Sequence, residues 1–149
     1  RCKCGIDAIE KYRTKVSGPL MDRIDLHIDV PALPTGTLSD PDWQPDPVEH
    51  ESAMCEVVDA RSVMLARSGK LNAYLSGREI EACAPLEKEA RAMLEKAIQS
   101  LGLSARGYYK ILKVARTIAD LSGGGPVTMT ALSEAIGYRR LDRYQTSRA

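Results

Sequence analysis

The chain has 149 residues, near the usual size of one domain, and its 21 basic and 20 acidic residues leave a formal net charge of +1. Such a balance gives no support for a bulk electrostatic grip on nucleic acid or on a membrane surface. No apolar run approaches the roughly 18 residues of a transmembrane helix and no signal peptide is visible, so we expect a cytoplasmic protein with no membrane partner. Because the first residue is Arg1 instead of Met, we also expect a piece of a longer protein.

The N-terminal part mixes a helical pattern with a strand pattern. Residues 6–15 have the apolar spacing of a helix, which Ser17-Gly18-Pro19 ends. Residues 24–30 then alternate strictly between apolar and polar side chains, which predicts a half-buried strand. No second strand of similar quality follows, so we infer that its sheet lies mostly upstream of Arg1.

A proline-rich stretch separates this part from the rest of the chain. Residues 31–47 hold five of the eight prolines, which predicts a linker over 32–47. We therefore expect residues 1–47, which include a short α/β remnant at 1–31, to be loosely held, because the sheet that the predicted strand would join is missing.

From residue 48 onward the pattern is helical almost throughout. The predicted helices cover 48–67, the capping box Ser76-x-x-Glu79 to about Cys83, Pro85 to Leu101, 104–121, and a last helix from Thr128 or Thr130 through Ile136. The fold class is therefore mainly α, a small helical bundle over residues 48–143, followed by a tail at 144–149.

The stretch 103–121, LSARGYYKILKVARTIADL, is the strongest helical pattern of the chain. An apolar stripe runs along one side, and we predict that the other side, comprising Arg106, Lys110, Lys113, Thr117 and Asp120, is mostly solvated. Arg106 stands in the first turn, where the helix dipole disfavours a cation by roughly 0.3–1 kcal/mol. We hypothesise that Arg106 faces a bound anion, most simply a nucleotide phosphate.

The four cysteines, at positions 2, 4, 55 and 83, do not form the framework of a disulfide-rich protein. Cys55 and Cys83 lie within helical patterns and are interpreted as small core residues. Cys2 and Cys4 are weak metal candidates, because a structural zinc site needs four ligands and this pair supplies half of them. We predict no metal site in the chain as it stands, and two exposed thiols are the simpler interpretation.

No catalytic constellation is complete in the sequence. It contains neither a G-x-x-x-x-G-K-[ST] phosphate loop nor G-x-G-x-x-G. His27 and His50 have no clear partners and are interpreted as ordinary surface residues. Arg23 is flanked by aspartates in LMDRIDL, so spacing predicts a surface salt-bridge partner.

Several motifs together resemble the C-terminal half of ComM/YifB proteins, which are magnesium-chelatase-like AAA+ ATPases. They are SGPLMDRIDLHIDVP at 17–31, KLNAYLSGREIEAC at 70–83, the helix at 103–121 and AIGYRRLDR at 135–143. The resemblance implies an ATPase whose nucleotide lies between subunits of a ring, usually a hexamer. It implies that Arg23 is the arginine finger acting in trans and that Arg106 is the sensor 2 arginine of the lid. Gly107, without a side chain, would allow close approach of the nucleotide.

The same resemblance implies partners and ligands. ATP and Mg²⁺ would bind the full-length protein, and we expect neither to be held by this chain alone. The expected partners are the N-terminal ATPase core, other copies in the ring, and DNA, since the family is associated with branch migration in natural transformation. The rival hypothesis is a non-enzymatic helical adaptor that binds protein or DNA through Lys110, Lys113 and Arg116.

Overall fold

The computed structural model describes residues 3–13, 15–42, 44 and 47–139. In these ranges the α-helices are α1 (Ile6–Arg13), α2 (Gly18–Met21), α3 (Pro47–Ser68), α4 (Gly77–Cys83), α5 (Lys88–Leu101), α6 (Ala105–Leu121) and α7 (Met129–Gly137). Short 3₁₀ turns occur at Thr37–Ser39 and Asn72–Tyr74, and no described residue lies in a β-strand. The predicted mainly α fold is confirmed.

Helix α6 is the centre of the bundle. It packs against α3, α4 and α7, and α7 also contacts α5. The core consists of small and branched aliphatic side chains from α4 to α7 and their connections: Leu75, Ile80, Ala84, Ala90, Leu94, Ile111, Leu112, Ala115, Ala119, Val127, Leu132 and Ala135. A core without bulky aromatic rings suits helices packed closely on one another.

Helices α4, α6 and α7 start at the side-chain caps that the sequence predicts, whereas α5 begins at Lys88 instead of Pro85 and has no side-chain cap. Ser76 and Glu79 form a complete capping box at α4. Ser104 accepts a hydrogen bond from the amide of Gly107 at 3.2 Å, and Thr128, instead of Thr130, accepts one from the amide of Ala131 at 3.2 Å. Each such cap typically contributes about 1 kcal/mol, which fixes where the connections end and the helices begin.

The buried face of α6 only partly coincides with the predicted apolar stripe of Gly107, Ile111, Val114, Ile118 and Leu121. Gly107 and Ile111 are buried, and Val114 and Ile118 pack against the core. Asp120, predicted on a solvated side, is 2% exposed, and Arg116 is 3% exposed. Leu121, at the end of the predicted stripe, is instead exposed. The solvated placement of Asp120 is wrong because the guanidinium groups of Arg67 and Arg116 neutralise its carboxylate, as described below.

The predicted strand is absent. Residues 24–30 have no regular secondary structure, and Ile24, Leu26, Ile28 and Val30 are all exposed. Alternation alone cannot form a strand without a partner to accept and donate its backbone hydrogen bonds. The prediction that this region is loosely held is also wrong for residues 23–27, because they are hydrogen-bonded to α6 and to the end of α7.

The first half of α3 carries an apolar stripe that is largely exposed. Ala60 and Met64 are the buried residues of this helix, while Met54, Val57 and Cys55 are exposed. The core interpretation of Cys55 is therefore wrong. Cys83 is half-buried and packs against the core, in agreement with its interpretation.

A candidate phosphate-contact site at the start of α6

Arg106 lies in the first turn of α6 and is exposed, as predicted. That turn contains no acidic residue. The other three cations of the helix are engaged: Lys110 with Asp25, Lys113 with a backbone carbonyl, and Arg116 with Asp120. Among the residues that the structure describes, none forms a hydrogen bond or ion pair with the side chain of Arg106. Its guanidinium group is therefore available to an external anion.

The side chain of Arg23 is exposed while its backbone is held in place. Its amide donates to the carbonyl of Leu20 at 3.0 Å, and its carbonyl accepts from Lys110 Nζ at 2.7 Å. The same Nζ donates to Asp25 Oδ1 at 2.6 Å. Asp25, which spacing suggested as a partner of Arg23, thus pairs with Lys110. One lysine of α6 thereby connects the backbone of Arg23 to the helix that carries Arg106.

Gly107 follows Arg106 but faces the interior. It is buried, and a Cβ atom there would lie 3.3 Å from Cβ of Leu103. Close packing against Leu103 is thus a structural reason for a glycine at this position. Its proximity to a nucleotide in the full-length protein stays a prediction.

A buried polar cluster, absent from the predictions, joins α3 to α6. This Asp120 cluster consists of Arg67, Asn72, Arg116 and Asp120. Arg67 donates to both carboxylate oxygens of Asp120 at 2.6 and 2.8 Å, and Asn72 Nδ2 donates to Oδ2 at 2.8 Å. Arg116 Nε donates to Oδ1 at 3.1 Å. The i,i+4 spacing of Arg116 and Asp120 was the available sequence signal.

The cluster shifts the pKa values of Asp120 and Arg67. Burial acts to raise the pKa of Asp120, but the hydrogen bonds from Arg67 and Asn72 and the charge of Arg116 outweigh it and lower that pKa below its ordinary value. The hydrogen bond to Asp120 raises the pKa of Arg67. The carboxylate is therefore held ionised between two guanidinium groups, which suits a structural junction between helices.

The described part of the chain contains no cluster of side chains that could bind a metal ion. No group of three or more His, Cys, Asp and Glu side chains lies there in an arrangement that could hold an ion. Cys4 is exposed, and Cys2 lies outside the described residues. Nor is any described helix long and apolar enough to cross a membrane.

The bundle around α6 corresponds to a known class of domain. Residues 49–139 match the family model of the C-terminal region of magnesium chelatase subunit ChlI, and residues 1–38 match the family model of magnesium chelatase subunit ChlI. The chain therefore belongs to the ComM/YifB magnesium-chelatase-like family.

Curated relatives agree with this assignment. The chain is 44% identical over 136 residues to competence protein ComM of Haemophilus influenzae, a match that covers 91% of this chain and 26% of that protein. It is 38% identical over 142 residues to YifB of Escherichia coli, covering 95% and 28%, respectively. A Mycobacterium bovis protein, Mb2921c, is 27% identical over 139 residues, covering 93% and 28%. The chain thus spans about a quarter of the length of these relatives.

Proposed function

We propose that the chain is the C-terminal sensor and lid region of a magnesium-chelatase-like AAA+ ATPase. Residues 1–31 would end the ATPase core, 32–47 would link, 48–143 would form the lid and 144–149 a tail. In support, the two family models match residues 1–38 and 49–139, on either side of most of the proline-rich stretch. The much greater length of the relatives leaves room for an N-terminal ATPase core, with which this chain would assemble.

The observation that carries the proposal is the availability of Arg106. Phosphoryl transfer spreads negative charge over the γ-phosphate oxygens, and a permanently charged planar guanidinium stabilises that charge. Arg106 is the sensor 2 residue, which contacts the γ-phosphate bound by its own subunit. Arg23, exposed on a fixed backbone, is the arginine finger, which reaches the γ-phosphate bound by the neighbouring subunit.

The full-length protein would bind ATP with Mg²⁺. The residues present suit the phosphate end of this ligand, because Arg106 offers an exposed guanidinium group in the first turn of α6. Mg²⁺ would neutralise charge on the phosphates when bound. This chain's own contribution is to place Arg106 and Arg23, and the described residues provide no cluster of metal ligands.

The biological role proposed for the whole protein is ATP-driven DNA remodelling, such as branch migration during natural transformation. It rests on the 44% identity to a relative named competence protein ComM. The protein would act in the cytoplasm as a homo-oligomeric ring, which in AAA+ enzymes is usually a hexamer. The near-neutral net charge of +1 fits DNA contacts made elsewhere in that ring.

The arginine roles are tested by ATP turnover of the full-length protein. Arg106→Ala should lower kcat about 10²- to 10³-fold, the usual cost of losing one transition-state donor. Arg23→Ala should lower it about 10³-fold or more. Arg61→Ala is the matched control, because Arg61 is an exposed arginine of α3. Turnover of Arg106→Ala equal to that of Arg61→Ala would refute the sensor role.

Mixed rings separate the two roles. A phosphate-loop mutant lacks its own site but donates a normal finger, so mixing it with Arg23→Ala should restore part of the activity. Mixing it with Arg106→Ala should restore none, because that lesion lies in the subunit's own site. Recovery with Arg106→Ala would mean that Arg106 also acts in trans.

The rival adaptor hypothesis requires that Lys110, Lys113 and Arg116 form an exposed basic face, and the structure does not provide one at Lys110 and Arg116. Arg116 is buried and bound to Asp120, so its predicted place on an exposed basic face is wrong. Lys110 is held by Asp25 and its side chain is 13% exposed.

The coding sequence upstream of Arg1 also tests the ATPase proposal. A phosphate-loop lysine and an acidic metal-binding pair there would support the proposal, and their absence would refute it.

A further inference from the structure

The segment that carries Arg23 is hydrogen-bonded to α6 and to the residues that directly follow α7. We call residues 23–27 the Arg23 segment. Lys110 of α6 donates to the carbonyl of Arg23 and to the carboxylate of Asp25. Arg139, which follows α7, donates through Nη1 to the carbonyl of Ile24. The amide of His27 donates to the carbonyl of Tyr138 at 2.8 Å. Four hydrogen bonds thus hold five consecutive residues.

These contacts hold backbone atoms and leave the Arg23 side chain exposed. Lys110 and Arg139 both donate to main-chain carbonyls, and Arg139 is buried. A surface ion pair between two flexible side chains would constrain little. A lysine with 13% of its side chain exposed that donates to two acceptors at once instead fixes the path of the chain on either side of Ile24.

We propose that Lys110 and Arg139 are positioning residues for Arg23. This inference rests on the proposed role of Arg23 as the arginine finger. Because a misplacement of about 1 Å can cost roughly 10²-fold in rate, a guanidinium that must reach a neighbouring subunit needs a fixed backbone. The helical bundle supplies it, and the finger moves with α6 and α7 as one body.

The same arrangement connects the backbone of Arg23 to the helix that carries Arg106. Arg106 and Lys110 are four residues apart, one turn of α6, and so lie on the same side of that helix. A displacement of α6 that follows phosphate contact at Arg106 therefore carries the backbone of Arg23 with it.

The first test uses amide hydrogen exchange in the full-length protein to measure whether Lys110 holds the backbone of residues 23–27. Lys110→Met keeps the aliphatic stem and removes the donor, and Lys113→Met is the matched control, because Lys113 donates to the carbonyl of Ala73 instead. Peptides covering residues 23–28 should exchange about tenfold faster in Lys110→Met, as expected for losing about 1.4 kcal/mol of hydrogen bonding. They should be unchanged in Lys113→Met. Equal exchange in both variants overturns the proposal whatever the ATPase does.

The second test asks whether the contacts of Lys110 with residues 23–27 are needed for Arg23 to act as the arginine finger. Lys110→Met should lower kcat about 10- to 100-fold, with KM for ATP within about twofold of the wild type. Mixing Lys110→Met with a phosphate-loop mutant should restore activity, as for Arg23→Ala, because the defect lies in the residue offered to the neighbour. A merely structural defect would also damage the subunit's own site and would not be rescued.

The outcomes separate this inference from the proposed function. If Arg23→Ala is inactive while Lys110→Met turns over like the wild type, the finger stands and the positioning role falls. If Lys110→Met is impaired but not rescued in mixed rings, the positioning role also falls. If Arg23→Ala itself keeps wild-type turnover, the finger assignment fails, and the role of Lys110 in catalysis fails with it.

Discussion

Replacing Asp120 by Asn removes one negative charge from the interior and leaves two cations behind. Asp120 accepts hydrogen bonds from Arg67, Arg116 and Asn72, with donor–acceptor distances of 2.6 to 3.1 Å. The asparagine keeps the shape of the side chain and an acceptor oxygen. It cannot neutralise the two guanidinium groups, so the variant isolates the electrostatic part of the Asp120 cluster.

The structure sets the size of the expected effect. Removing one partner of a buried ion pair costs about 3–5 kcal/mol, because the remaining charge stays desolvated and uncompensated. The side chain of Arg67 is 23% exposed, whereas that of Arg116 is 4% exposed. Since water partly reaches Arg67, we expect the lower end, about 3 kcal/mol. Domains of this kind unfold with roughly 5–15 kcal/mol, so Asp120→Asn should remain folded but clearly weakened.

Urea unfolding followed by circular dichroism measures this loss. Asp59→Asn is the matched control, because Asp59 is an exposed aspartate of α3. The double variant Arg67→Met/Asp120→Asn should lose less than the sum of the single variants, with a coupling free energy of about 1–3 kcal/mol. If Asp120→Asn and Asp59→Asn unfold within about 0.5 kcal/mol of each other, the cluster does not hold the helices together.

Asp120→Asn should also change how the free energy of unfolding depends on pH. Because the pKa of Asp120 is lower in the folded state, its contribution is fully present above its ordinary, unfolded pKa and is lost as pH falls through the folded pKa. The wild type should therefore lose stability on acidification below about pH 4, and Asp120→Asn should lose less over the same range. Parallel pH curves for the two proteins would contradict the assigned cause.

Two further predictions concern a helix start and a loop. Hydrogen bonds from Lys70 and from the Ser76 amide lower the pKa of Glu79 to about 2, so the capping box should persist above pH 4 and be lost as pH falls toward 2; a carboxyl NMR titration with its midpoint near 4 would contradict this. Gly124→Ala should destabilise by about 1–3 kcal/mol more than Gly123→Ala. Both glycines have positive φ, but the added Cβ at 124 lies 2.8 Å from Val63 Cγ1, whereas at 123 it meets nothing within 4 Å. Adding Val63→Ala to Gly124→Ala should recover part of that difference; equal melting temperatures for the two glycine variants would refute the clash.

Helix positions could be predicted from local chemistry. Residues 48–67 and 104–121 were predicted as helices, and the structure has Pro47–Ser68 and Ala105–Leu121. Caps such as Ser104 and the capping box at Ser76 act within one turn, so the sequence near each end contains the information. The exposure of Arg106 agrees with its predicted place on the solvated side of that helix.

The buried polar contacts and the absence of the strand could not be predicted, because they depend on residues far away in the chain. Asp120 is paired with Arg67, 53 residues before it, and Lys110 with Asp25, 85 residues before it. A polar residue on a helix is interpreted as solvated unless its partner is known, and periodicity does not identify that partner. The strand at 24–30 failed for a related reason, because strand formation depends on pairing as well as on alternation.

The one-sided anchoring of α3 has a consequence for how the protein opens. Its burial begins at Ala60, so the preceding turns depend on their own hydrogen bonds and helix propensity. A stretch of about 12 residues is near the limit at which an isolated helix persists in water. Helix α3 therefore does not behave as one cooperative unit. We expect its N-terminal turns, whose side chains are exposed, to open at lower energetic cost than the turns beyond Ala60, so amide protection should rise steeply along a single continuous helix.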